Sequence, residues 1–265
     1  MRKPKVIVLR TAGTNCDVET AHAFTMCGAY ADLVHINELV RGEKVLGDYH
    51  ILAIPGGFTY GDDIASGKIL ANDVRYRLGG ELKKFIDSGR LIIGICNGFQ
   101  VLVKSGILPG VNGKGLLATL SFNDSGKFED RWTYLKNQRS KIKNQKCVWT
   151  KNISKIIYLP VAHGEGKFIT KDKAVLQALK KNNQIVFQYV DEKGRPAGYP
   201  YNPNGSVDNI AGICDPTGRV LGLMPHPERH VFGTHHPRWT REGLKKSGDG
   251  LAIFRNGVDY VKQEF

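Results

Sequence analysis

The sequence predicts a single α/β domain over residues 1–265, with a mainly parallel central sheet sandwiched between helices and an antiparallel extension. Three observations predict it. Nearly all-apolar strand-like runs alternate with helix-periodic stretches in the first half, as in a parallel sheet covered on both faces. In the second half the strand-like runs are shorter and joined by polar loops. The 265 residues, 41% hydrophobic and 24% charged, are in the globular range and can bury one large core.

Lys5 to Leu9 reads as the first strand, and the loop Thr11-Ala12-Gly13-Thr14-Asn15 leads into a helix from Asp17 to Cys27, closed by Gly28. Tyr30 to Ile36 and His50 to Ile54 are the next strands, the latter cut off by Pro55-Gly56-Gly57. Ser66 to Asp87 has helical periodicity broken at Gly79-Gly80, and Leu91 to Ile95 is a fourth buried strand. Leu117 to Phe122, Trp132 to Lys136, Cys147 to Thr150 and Ile156 to Val161 resemble strands of the antiparallel extension. A helix (Asp172 to Lys181) and a strand (Ile185 to Val190) follow. Gly194 to Gly205 reads as a long surface loop within the domain, because both flanks still supply strands. Asn209 to Cys214 and Val220 to Met224 form a hairpin about Asp215-Pro216-Thr217-Gly218, and Asp249 to Phe265 is a terminal helix.

The longest apolar runs fall far short of the ~20 residues that cross a bilayer, and Val6 to Leu9 is too short for a signal-peptide core of about 7–15 residues. The expected location is therefore cytoplasmic, without membrane association. Five scattered cysteines with no C-x-x-C pair suggest small buried hydrophobes more than a metal or redox motif. A net charge of +13 raises nucleic acid or an acidic partner as alternatives.

Chemistry concentrates at Gly94-Ile95-Cys96-Asn97-Gly98-Phe99-Gln100, where a buried strand turns into a helix. This is a G-x-nucleophile-x-G elbow with cysteine as nucleophile. The tight turn would make side chains at Gly94 and Gly98 collide, and a helix N-terminus favours the thiolate. The alternative is a buried cysteine at a glycine-rich strand end. His226 follows a strand in Met224-Pro225-His226-Pro227-Glu228, and i and i+2 side chains of extended backbone share a face. Pro227 biases His226 toward that geometry, so His226 and Glu228 can complete a Cys-His-Glu triad. A surface His–Glu pair in a proline-rich loop is the competing reading, which the elbow disfavours. The N–H groups of Gly57 and Asn97 are the expected oxyanion donors.

Other motifs are less well matched. Gly61 to Lys68 has one residue too many for a P-loop and is followed by Ile69 where Ser or Thr is needed. His226, His230, His235 and His236 lack the companions of a zinc site. His163 to Phe168 reads as an active-site loop more readily than as a second acid–base pair. The basic segment Asp124 to Lys146, with Trp132 and Tyr134, could stack nucleic acid but reads better as a solvated strand and loop.

Taken together, Pro55-Gly56-Gly57, the Cys96 elbow with Gln100, and His226-Pro227-Glu228 resemble the class I, triad-type glutamine amidotransferases. Leu9 to Asp17, Gly56 to Ile64, His163 to Phe168 and Met224 to Arg229 narrow the resemblance to the glutaminase parts of phosphoribosylformylglycinamidine synthases, over nearly the whole chain. The resemblance implies a flavodoxin-like three-layer sandwich, with glutamine as substrate and ammonia as the useful product. It implies Cys96 as nucleophile, His226 and Glu228 as its triad partners, and Gln100 as a glutamine-binding residue. It further implies a separate ATP-dependent synthetase that makes formylglycinamidine ribonucleotide in purine synthesis, and a small accessory subunit in the same complex. No cofactor is expected in this chain, with ATP and Mg on the synthetase, and no nucleic acid. The glutaminase of another amidotransferase, or a cysteine hydrolase or chaperone of the intracellular-protease group, is the alternative. The basic segment around Asn137 to Gln145 departs from the general pattern, and the basic stretch 136–146 is the expected part of the partner contact.

Overall fold

The computed structural model describes residues 3–110, 115–138 and 146–265. The expected partner contact at 136–146 lies outside them over 139–145. In chain order the elements are β1 (Lys5–Arg10), α1 (Asp17–Met26), β2 (Tyr30–His35), α2 (Ile36–Val40), β3 (Ile51–Ile54), α3 (Lys68–Arg77), α4 (Gly79–Asp87), β4 (Leu91–Ile95) and α5 (Asn97–Lys104). The second half adds β5 (Ala118–Ser121), β6 (Glu129–Asn137), β7 (Ile156–His163), β8 (Lys167–Thr170), α6 (Lys173–Lys181), β9 (Ile185–Val190), β10 (Ile210–Cys214), β11 (Val220–Leu223), α7 (Trp239–Glu242) and α8 (Leu251–Glu264).

A nine-stranded sheet runs β2-β1-β3-β4-β11-β10-β9-β6-β7. From β2 to β11 every pairing is parallel, and from β11 to β7 every pairing is antiparallel. Every residue of β3, β4 and β11 is buried, the signature of strands covered on both faces. Helix α5 packs across β3, β4 and β11. Helix α1 lies on β1 and β2 and meets α8, where Phe24 and Phe254 stand edge to face at 5.0 Å. β5 and β8 form a separate two-stranded ribbon against α5.

The chain leaves β1 for β2 on one side and β3 on the other, so the carboxyl ends of β1 and β3 flank a topological switch point, the usual ligand crevice of such sheets. An isolated antiparallel bridge between Thr14 and Gly57 ties the two following loops together there.

The structure corrects two expectations and disfavours one alternative. Cys147 to Thr150 is not a strand: Val148–Thr150 is a short 3-10 turn that buries Trp149, whose indole N–H donates to the Arg219 carbonyl at 2.9 Å. The loop at Gly194 to Gly205 is superficial only in part. Asn202 and Asn204 are buried, with the Asn204 side chain reaching His163 and the Tyr189 hydroxyl. Trp132 and Tyr134 do not form an open stacking platform. Both contact Tyr158, and Trp132 also meets His230 at 5.0 Å, so these aromatic groups are largely committed to one another.

Candidate active site

The carboxyl ends of β1, β3, β4 and β11 bring Cys16, Gly57, Cys96 and His226 into one crevice, which the chain order keeps up to 210 residues apart. At the end of β4 the backbone of Cys96 has φ 50° and ψ −104°, a region sparsely used by residues with a Cβ and costing on the order of 1–3 kcal/mol. The Cys96 N–H donates to the Leu223 carbonyl at 2.8 Å, so β11 holds the turn from one side. A Cβ on Gly94 would stand 2.6 Å from the Gly98 carbonyl oxygen, as the collision argument expects. The requirement at Gly98 is different: a Cβ there would run into the carbonyl of Ile54 on β3. Gly98 is thus glycine because α5 begins in contact with the neighbouring strand.

His226 leaves β11 with its N–H on the Pro160 carbonyl at 2.8 Å, and His226 and Glu228 are 2% and 1% exposed. The extended backbone of His226 brings its Nδ1 within 2.6 Å of Glu228 Oε1, so the two residues do share a face. The carboxylate accepts the Nδ1 proton, which leaves Nε2 as the working nitrogen. Nε2 is buried and has no well-formed hydrogen bond, and the Cys96 thiol is near enough to favour the ring's charge. Burial is the largest single effect and opposes a charge on His226, but Glu228, Cys96 and Cys16 together outweigh it. The net effect holds the imidazole well above its ordinary pKa. The Cys96 thiol faces the Ala162 carbonyl at 3.8 Å, so β7 forms the opposite wall.

Gly57 has φ +140°, and a Cβ there would stand 2.5 Å from the Asn15 N. The bridge is made by Asn15 donating to Gly56 and Phe58 donating to Gly13, a pairing that leaves the Gly57 N–H free of the ladder. Asn97, the first residue of α5, contributes an N–H of the unpaired first helical turn. Its side chain is fixed: Oδ1 accepts from Thr59 at 2.7 Å, and Nδ2 donates to Asp62 at 3.2 Å and to Gln100 Oε1 at 3.0 Å. The Gln100 amide donates onward to the Glu165 carbonyl at 2.5 Å, so Gln100 is tied at both ends of its amide group to the protein.

His163 to Phe168 forms part of the wall and not a second acid–base pair. Glu165 bonds the Ser66 N–H at 3.3 Å and pairs with Lys104 at 3.6 Å instead of approaching His163. His163 is buried, and its pKa is pushed down to about 3, first by burial and then by the charge of His226. Asn123 Oδ1 already accepts from Gly166, so it also accepts from His163 Nδ1 at 3.1 Å, while Nε2 accepts from Asn204 at 3.4 Å. That arrangement holds a neutral ring.

Sequence reasoning missed Cys16 and Arg229. The Cys16 thiol lies 3.9 Å from His226 Nδ1, and the Arg229 guanidinium donates to it at 3.1 Å. Cys16, His226 and Glu228 could on distance alone surround a cation. The guanidinium on the thiol and the imidazole–carboxylate bond already serve those donors, which disfavours that use. A glycine is needed beside them, because a Cβ on Gly56 would stand 2.7 Å from His226 Cε1.

A nucleophile elbow, a buried imidazole–carboxylate pair and two free N–H groups at a switch point define the class I glutamine amidotransferases, and the comparisons agree. Residues 3–261 match the CobB/CobQ-like glutamine amidotransferase domain. Over 264 residues the chain is 51% identical to phosphoribosylformylglycinamidine synthase subunit PurQ of Dehalococcoides mccartyi, covering 99% of this chain and 100% of that one. It is 47% identical to the subunit of the same name in Archaeoglobus fulgidus, covering 98% and 97%. The PurLQS structure from Thermotoga maritima superposes with a TM-score of 0.74 at 31% identity, over 98% of this chain and 100% of that one. The chain belongs to this amidotransferase family and, within it, to the PurQ subunits of phosphoribosylformylglycinamidine synthase.

Proposed function

We propose that the chain, as a single domain over 1–265, is the glutaminase subunit of phosphoribosylformylglycinamidine synthase. It hydrolyses glutamine to glutamate and ammonia and delivers the ammonia to a separate ATP-dependent synthetase, which converts formylglycinamide ribonucleotide to formylglycinamidine ribonucleotide in purine biosynthesis. The observation that carries the chemistry is the buried 2.6 Å pair of His226 and Glu228 beside the Cys96 elbow. Kinship along the full length carries the pathway.

In this reading the Cys96 thiolate attacks the side-chain amide carbonyl of glutamine, and the developing oxyanion rests on the N–H groups of Gly57 and Asn97. His226, held as imidazolium by Glu228, gives its Nε2 proton to the leaving nitrogen as the C–N bond breaks and ammonia departs. The neutral ring then takes a proton from water. Hydroxide displaces the thiolate from the thioester, giving glutamate and restoring the ion pair. Gln100 acts on glutamine through the wall it fastens, since its amide is bonded to Asn97 and Glu165.

These steps need no cofactor in this chain; ATP and Mg belong to the synthetase. The partners are glutamine, that synthetase and a small accessory subunit. We assign the reaction to the cytoplasm, where purine nucleotides are built; among the described residues no helix is long and apolar enough to cross a membrane.

The test is the reconstituted complex with Cys96→Ala. Synthesis from glutamine should vanish while synthesis from added ammonium stays nearly intact, because the two half-reactions are chemically separate. Equal loss of both would make Cys96 structural.

A further inference from the structure

Away from the elbow, a 420 Å³ cavity opens between the start of α3, the end of α5 and the β5–β8 ribbon. Its charged lining is Lys68, Lys104 and Lys171, and its apolar lining is Leu116, Ala118 and Ile169. Thr119 and Thr170 add hydroxyls. Lys104 alone of the three has an ion-pair partner among the described residues, Glu165 at 3.6 Å. Three ammonium groups around one concavity therefore face two carboxylates, Glu165 paired with Lys104 and Asp62 acting on it from further away, which leaves an excess of positive charge. Lys68 works against the charge on Lys104, whose pKa is lowered first by burial. Such a cluster is stabilised when an anion enters.

The cavity is open to solvent on one side, and its volume falls within the range of small-molecule sites. One apolar side with lysines around it fits a molecule carrying an apolar ring and a phosphate. The neighbouring glycine-containing loop does not itself cradle the anion. Asp62 Oδ1 already accepts the Gly67 N–H at 3.1 Å, and Glu165 accepts the Ser66 N–H. The phosphate would be held by lysine side chains.

Lys104 connects this cavity to the elbow. Its amine donates to the Ser66 carbonyl at 2.6 Å and pairs with Glu165, whose own carbonyl receives the Gln100 amide. We propose that this cavity binds a phosphate-bearing small molecule of the nucleotide class, and that its occupancy reaches the Cys96 elbow through Lys104, Glu165 and Gln100. The second half of this inference rests on the glutaminase reading; the first does not.

The experiment uses the full chain, with ADP and inorganic phosphate as separate probes by titration calorimetry. Lysine acetylation mapped by mass spectrometry gives a second readout. ADP should bind and protect Lys68 and Lys171 from acetylation, and the Lys68→Gln/Lys171→Gln double variant should lose about tenfold or more in affinity. Phosphate bound without ADP would overturn the nucleotide assignment. ADP binding that ignores the double variant, or no binding of either probe at millimolar concentration, would overturn the site. Saturating ADP should also change several-fold the rate at which a glutamine-analogue electrophile labels Cys96, in the natural chain and not in the double variant. Binding without that change supports the site and overturns the connection, whereas failure to label Cys96 under any condition counts against the glutaminase reading alone.

Discussion

The thiol of Cys16 lies 3.9 Å from Nδ1 of His226, on the same ring edge that Glu228 bonds at 2.6 Å. A second cysteine therefore stands within the proposed triad without occupying its nucleophilic position. Burial pushes the Cys16 thiol pKa up, ahead of the opposing hydrogen bond from His226, and the residue is fully buried. Cys96 is instead at the strained turn, with its helix N-terminus facing the crevice.

A glutamine-analogue electrophile should accordingly modify Cys96 and leave Cys16 untouched, as read by peptide mapping after partial labelling. A thiol that stays protonated is a poor nucleophile whatever its neighbours. Modification at Cys16, Cys147 or Cys214 with Cys96 free would remove Cys96 from the mechanism.

His226→Ala should lower glutaminase turnover by about 10²–10⁴-fold, the usual worth of general acid–base work, and Glu228→Gln by less. The imidazole moves protons, whereas the carboxylate sets its tautomer and charge. Because Glu228 is the main group raising the His226 pKa, Glu228→Gln should also shift the alkaline limb of the pH–rate profile to lower pH. The same linkage acts on stability. His226 is raised above its unfolded value, so its contribution is full below about pH 6.5 and is lost as pH rises through the folded pKa. Unchanged turnover in His226→Ala, or an unmoved alkaline limb in Glu228→Gln, would contradict this arrangement.

His163 gives the opposite pH dependence. Its folded pKa is about 3 against an unfolded value near 6.5, so between those values the unfolded chain binds one more proton. The stability contributed by the neutral ring is present above pH 6.5 and falls as pH drops, by about 1.4 kcal/mol per unit where one proton separates the states. Denaturant titrations from pH 7 to pH 4 should show that slope, and His163→Gln should remove it. An equal slope in the variant would assign the acid lability to other groups.

Much of this site was legible from local sequence because its parts have local causes. Gly94, Cys96 and Gly98 lie on one strand–helix turn, and His226 and Glu228 are two residues apart on extended backbone, so spacing alone places them. The parallel strands were legible for a similar reason: β3 and β4 are apolar at every residue. Cys16 and Arg229 were not legible. Nothing within the Thr11–Asp17 loop signals that the β1–β3 switch point will set its cysteine against an imidazole 210 residues away. Val148–Thr150 failed for the converse reason: a β-like composition there serves to bury Trp149, which packs against Gly257 of α8, a tertiary contact that overrides local propensity.

Gly56 offers a way to disturb catalysis through one contact. Its backbone is not in the left-handed region, so alanine can adopt the main-chain conformation. The added methyl group would stand 2.7 Å from His226 Cε1 and 3.2 Å from Cys16 Sγ, closer than a methyl carbon packs against either atom. The strand end cannot recoil readily, because the Gly56 carbonyl accepts the N–H groups of Asn15 and Cys16 at 3.3 and 3.1 Å. The imidazole must shift instead, and a shift of about 1 Å in a catalytic group can cost on the order of 10²-fold in rate. Gly56→Ala should therefore lower glutaminase turnover by roughly that factor while the chain still folds and the reconstituted complex still uses added ammonium. Gly98→Ala is the contrasting control: its methyl group would meet the Ile54 carbonyl, so it should damage folding and association together. Equal thermal destabilisation by the two substitutions would show that Gly56 is required by the backbone and not by His226.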